Sequence, residues 1–210
     1  MAIIVEHEKR RREILEKALD VFVDEGFEDA TFQKIADRCG ITRTTLYIYF
    51  KNKKEIFNYS IKQFLSEVEG GILKIRADTG LNVVERIIRV LSDIIDRLEK
   101  SRRLLSVVLN YLLYLSKSNT DPDSRVRRRT IRLRHFLATM VIEGIRAGEI
   151  RPVKVKVVDE LLYGLIESAI YRLVILKRES VGDLKEVVEL TVRHLSASAS
   201  AEAVAEANAI

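Results

Sequence analysis

The chain has 210 residues, 47% apolar and 32% charged, with a formal net charge of +5, two prolines and nine glycines. That apolar share is ample for a core and that charge suits a soluble protein, while the longest apolar run, about Leu104 to Leu115, falls short of the ~20 residues a bilayer crossing needs. A single cysteine, Cys39, excludes an internal disulfide and suits a reducing cytoplasm, and the charged start leaves no room for the apolar stretch of a signal peptide.

Apolar spacing is helical nearly throughout, with no sustained alternation, so the pattern predicts an all-α chain of about nine helices. Glutamine occurs only twice beside abundant Lys, Arg, Glu, Ile and Val, a bias that suits a thermophile. The first helix is predicted over 6–25, with Ile14, Ala18, Val21, Phe22 and Glu25 on one stripe; Gly26 ends it and Phe27 folds back. Its basic start, Lys9 to Arg12, suits either a DNA backbone or solvent. Thr31 caps a second, short helix with Ile35 and Ala36 inward, and Cys39-Gly40 stops it. Cys39, at a helix end in an apolar turn, is read as packing. Ile41 plugs the turn, and Thr42 caps a third helix over 43–50, with Leu46 and Phe50 inward.

Two short helices across a glycine turn make a helix-turn-helix. Thr31, Gln33, Thr42, Arg43, Thr44, Thr45, Tyr47, Tyr49 and Lys53 are the candidate DNA-binding residues. Arg43 can donate a fork to guanine O6 and N7; Thr44 and Thr45 allow close approach, and a threonine methyl can meet that of thymine. Tyr47 and Tyr49 offer hydroxyls to phosphate oxygens. Asn52 caps the next helix with Glu55 as its capping-box partner, which places Lys53 at a helix N-terminus suited to a phosphate.

The run Leu46-Tyr47-Ile48-Tyr49-Phe50-Lys51-Asn52-Lys53, followed by Glu55-Ile56-Phe57, resembles the N-terminal signature of the tetracycline-repressor (TetR) family, and Thr31, Ile35-Ala36, Gly40-Ile41 and Leu46 fall at that family's spacing. The resemblance covers residues 8–58 and is only architectural beyond. It implies a ligand-responsive, homodimeric transcriptional regulator, a repressor on a near-palindromic duplex, with no cofactor besides a small-molecule effector. The expected division is a helix-turn-helix domain over 1–55, an effector-binding and dimerisation domain over 56–196 and a low-complexity tail over 197–210.

Charge distributes unevenly. Residues 1–55 carry eleven basic and eleven acidic side chains, whereas 101–134 carry nine against two. A positive face at the helix-turn-helix therefore rests on local clustering, Lys9 to Arg12 and Arg43 to Lys54 against acids gathered at Asp20 to Asp29.

The fourth helix carries Ile56, Phe57, Ile61, Phe64, Leu65 and Val68 on one stripe and is expected to end at Gly70-Gly71. The fifth spans 82–100. The sixth, 102–117, is apolar nearly all round and should lie centrally buried, with Asn110, Tyr111 and Tyr114 as polar handles. The seventh opens at Asp121-Pro122 and runs to 147, with Arg125, Arg128, Arg129 and Arg132 on its outer face. After the loop 148–152 come helices over 155–178 and 182–196. Candidate effector contacts are Asn110, Tyr111, Tyr114, His135, Phe136, Tyr163, Glu167 and Tyr171. By the resemblance, the last two helices form the dimer interface, with Leu161, Gly164, Leu165, Ser168, Ala169 and Leu173 as candidates.

The histidines, His7, His135 and His194, have no partner at triad or metal spacing, and there is no phosphate-binding glycine loop, so an enzyme is not expected. Two rivals stand beside a specific regulator. A helical adaptor would show no salt-dependent affinity for duplex, and a non-specific architectural binder would show affinity without discrimination.

Overall fold

The computed structural model describes the backbone of residues 2–117 and 124–198, and the side chains of 6–115 and 130–198. Among the described residues there are nine helices and no strand: α1 (Ala2–Asp29), α2 (Phe32–Cys39), α3 (Arg43–Tyr49), α4 (Lys53–Arg76), α5 (Val83–Lys100), α6 (Arg102–Lys117), α7 (Ser124–Arg146), α8 (Val155–Val174) and α9 (Asp183–Arg193). A lone antiparallel bridge joins Ile150 to Ser196. The Asp121-Pro122 cap, the side chains of Arg125, Arg128 and Arg129, and nearly all of the 197–210 tail lie outside the described residues.

Two compact units emerge. The head comprises residues 1–67 and 101–120, and the body comprises 68–100 and 121–210. This division into compact units falls inside α4 and places α6 with the head. Ile14, Ala18, Phe22, Ile35, Ala36, Leu46, Phe50, Ile56 and Phe57 form the head core, and Leu104 and Val107 of α6 join them.

α6 is not the central buried helix that its composition predicts. Leu104 and Val107 are buried, but Asn110, Leu113 and Tyr114 are exposed. The central role in the body belongs to α5, which packs against α7, α8 and α9. Its Val83, Val84, Ile87, Val90, Leu91, Ile94, Ile95 and Leu98 are all buried, a stripe wide enough to meet three neighbours.

The glycine pair in α4 does not end it; the helix runs on to Arg76. The reason is a close approach. A Cβ on Gly71 would lie 2.8 Å from Arg97 Nη2 and closer still to Asp93 Oδ2. Those two residues pair at 2.6 Å on α5, so the missing side chain lets that ion pair lie against the α4 backbone. Between α7 and α8, Arg134 bridges Asp159 and Glu160. These two carboxylates raise its guanidinium pKa above the ordinary value by hydrogen bonding, Asp159 foremost.

Candidate nucleic-acid interface

The head's local folding follows its caps. Thr31 accepts a hydrogen bond from the Lys34 N–H at 3.2 Å and opens α2. Gly40 closes it in the left-handed conformation, φ 67° and ψ 34°, and donates to Ala36 and Asp37 carbonyls. Thr42 accepts from the Thr45 N–H at 3.1 Å and starts α3. Leu46 and Phe50 are essentially inaccessible to solvent and seat α3 on the core. α2 is tied to α1 by Lys34–Glu25 at 2.6 Å and Arg38–Asp24 at 3.0 Å, and Arg103 of α6 reaches Asp20 at 2.7 Å. The acids gathered at 20–29 are thus largely engaged by cations away from the face of α3.

That face is open to solvent. Arg43, Thr44, Tyr47 and Ile48 are exposed, with Thr45 and Tyr49 half-buried at its flanks. Arg43 Nη2 donates to the Tyr47 hydroxyl at 3.1 Å, and the Tyr47 ring lies 4.7 Å from Phe32. Gln33 Nε2 donates to Asp37 Oδ1 at 2.8 Å. An open depression lined by Gln33, Asp37, Gly40, Ile41, Thr42, Arg43 and Thr45 separates α2 from α3. Gln33, Thr42, Arg43 and Thr45 thus line one depression, while Thr31 and Thr42 use their hydroxyls as caps.

Lys53 behaves differently from the expectation of a phosphate ligand. Its ammonium donates to the carbonyls of Phe27 (2.8 Å), Glu28 (2.6 Å) and Ala30 (2.9 Å), and it sits 5.0 Å from the centre of the Phe27 ring. Gly26, at φ 82° and ψ 164°, breaks α1 just before this point. Phe27 and Glu28 lie in the last turn of α1 and Ala30 just past its end at Asp29, where no later helical N–H reaches their carbonyls, and Lys53 collects them. The capping box forms as expected in part: Asn52 Oδ1 accepts from the Glu55 N–H at 2.9 Å, and Glu55 accepts from the Lys51 N–H at 2.5 Å.

Three further residues belong to this description. Arg11 lies 3.8 Å over the Tyr59 ring and 5.0 Å from that of Phe50, so this member of the basic Lys9-to-Arg12 cluster packs against rings. His7 stacks on Tyr49 at 4.7 Å. Ile48 is 68% exposed on α3. Helical periodicity alone identifies Ile48, because it falls two positions past the buried Leu46. Cys39 is buried, which raises its thiol pKa against the opposing charges of Lys17 and Arg10. A packing role follows.

The candidate effector contacts divide between the two units. Tyr111 lies 4.5 Å from Phe27 and 5.2 Å from Phe57, which makes it part of the head's aromatic packing, while Asn110 and Tyr114 are exposed on the same helix. In the body, His135, Glu167 and Tyr171 are exposed, Phe136 faces Arg76 at 5.8 Å, and Tyr163 faces Arg134 at 5.3 Å. Of the candidate dimer residues, Leu161 is exposed and Gly164, Leu165 and Ser168 are half-buried. Ala169 and Leu173 are buried in the protomer's own core, because α8 turns that side toward its neighbours.

Among the described residues no cluster of His, Cys, Asp or Glu has a metal-binding arrangement, and no helix is long and apolar enough to cross a membrane. Residues 14–59 match the family model for bacterial regulatory proteins of the tetR family. The fatty acid metabolism regulator protein of Bacillus subtilis is 27% identical over 163 residues, 75% of this chain and 80% of that protein. The crystal structure of FadR from Bacillus subtilis with stearoyl-CoA has a TM-score of 0.66 at 23% identity, covering 89% of this chain and 98% of that one. The ketosteroid regulator KstR2 of Mycobacterium tuberculosis has a TM-score of 0.68 at 22% identity, covering 89% and 94%. These structural likenesses establish the fold.

Proposed function

We propose that this chain, a member of the tetR family of bacterial regulatory proteins and a ligand-responsive, DNA-binding transcriptional regulator, represses as a homodimer on a near-palindromic operator. The observation that carries this reading is the exposed Arg43–Thr44–Tyr47–Ile48 face of α3, held outward by the buried Leu46 and Phe50. A helix so presented fits the major groove, and two-fold symmetry places two half-sites about one helical turn apart.

The proposed dimer surface is the outward side of α8 and α9. Val157, Leu161 and Tyr171 on α8 and Val187 and Leu190 on α9 are exposed apolar side chains, and Gly164 and Ser168 leave room for a partner helix. The proposed effector is a large hydrophobic molecule of the acyl-thioester class. This reading draws support from the similar FadR, whose structure contains stearoyl-CoA, and from a relative named for fatty acid metabolism. Such a ligand acts only through different affinities for the DNA-bound and released states.

The test is selection of duplexes from a random pool with the full chain at physiological salt. An inverted repeat supports the specific dimeric regulator. Binding without a shared sequence, or no binding, refutes it in favour of an architectural binder or an adaptor. Stearoyl-CoA is then titrated against the recovered operator, and an unchanged affinity excludes that effector class.

A further inference from the structure

Single exposed apolar residues are ordinary on protein surfaces. What distinguishes Ile48 is its address. At 68% it is the most exposed of the large apolar side chains among the described residues, and it stands in the middle of a surface otherwise built from donors. Taking the fully buried Leu46 as the inward direction, about 100° per residue places Thr44 and Ile48 near 160° and 200°, on the outermost line of α3. The donors are set to the sides. Arg43 and Tyr47 hold each other on one flank, and Thr45 is tied to Thr42 by a 2.8 Å hydroxyl contact on the other.

The crown of α3 is therefore a branched alkyl group next to a threonine methyl. In a major groove such a crown has little to offer guanine, adenine or cytosine, whose edges carry donors and acceptors that lose water against an alkyl group and gain no partner. Thymine alone presents a methyl group there. We propose that Ile48, flanked by the Thr44 methyl, is a specificity-determining residue that reads the C5-methyl of thymine at one position of each half-site. Arg43 and Tyr47, beside it, set register and contact neighbouring polar edges or phosphates.

The proposal rests on the reading that α3 enters the major groove, and the experiment separates the two. With the operator recovered by selection, each thymine is replaced in turn by deoxyuridine, which removes only the methyl. The full-length protein loses about fourfold in affinity at one thymine per half-site, the effect of one buried methyl-sized group. Ile48→Ala binds the unmodified operator more weakly by at least that factor and is indifferent to uracil at the same position. Ile48→Val, which keeps a branched alkyl group, retains the sensitivity. If an operator is recovered but no uracil position distinguishes Ile48→Ala from the parent, the assignment of Ile48 is overturned while the regulator stands. If no operator is recovered, both fall together.

Discussion

The role of Lys53 gives the sharpest prediction. Its ammonium makes three hydrogen bonds of 2.6–2.9 Å to carbonyls at the C-terminal end of α1, and the group is half-buried. Lys53→Met keeps the alkyl stem and deletes the donor. A hydrogen bond to a charged group contributes roughly 1.5–3 kcal/mol when well formed. Released carbonyls near the surface regain water, so the three together are expected to contribute about 2–3 kcal/mol. The assay has two parts: urea denaturation of the full chain followed at the head, and operator affinity across a salt series. The expected result is a destabilised head, with weaker binding but an unchanged slope of log affinity against log salt. A phosphate ligand behaves in the opposite way. Removing it leaves stability intact and lowers the slope by about 0.9. Stability preserved within roughly 0.5 kcal/mol, the range of ordinary surface substitutions, together with that loss of slope, refutes the structural role.

Arg43→Ala is expected to cost about 1–3 kcal/mol on the specific operator and to relax base preference at one position, read by competition binding at matched salt. Gly70→Ala, where nothing lies within 4 Å of the new Cβ, should stabilise by up to about 1 kcal/mol in thermal unfolding. Gly71→Ala should gain less, because the Asp93–Arg97 pair must shift; equal gains from both substitutions refute that account. Leu190→Arg, on the exposed side of α9, should shift the protein from dimer toward monomer in sedimentation, and an unchanged mass locates the dimer surface elsewhere. Cys39 should react with iodoacetamide at pH 8 far more slowly in the folded than in the urea-unfolded chain, since burial both shields the thiol and raises its pKa.

The helix count and the cap residues of the head were legible because each depends on local chemistry: Thr31, Gly40, Thr42 and Asn52 act within four residues of themselves. What local chemistry does not contain was missed. The α4 glycines read as a stop because a helix propensity scale knows nothing of an ion pair on another helix. α6 reads as central because apolar content reports how much a helix can bury, not what lies beside it, and the contacts of Tyr111 with Phe27 and Phe57 are likewise beyond local chemistry. A lysine at a helix start is suited to both anions and carbonyls, and the carbonyls at the end of α1 that Lys53 meets are not marked in the local sequence. The outward position of Ile48, by contrast, follows from its angle to Leu46.

The head's core is assembled from two separate parts of the chain, and this has a consequence for synthesis. Phe27 and Phe57 pack on Tyr111, and Leu104 and Val107 complete the same core, yet the first part ends at Glu67. At about 5–20 residues per second, Tyr111 leaves the peptidyl-transferase centre some 2–9 s after Glu67. During that interval the nascent chain carries α1 to α3 with one side of their core uncovered. The core beneath the helix-turn-helix is not closed on the ribosome until more than half of the protein has been made, and a gene fragment ending at the close of the helix-turn-helix encodes a head without its last wall.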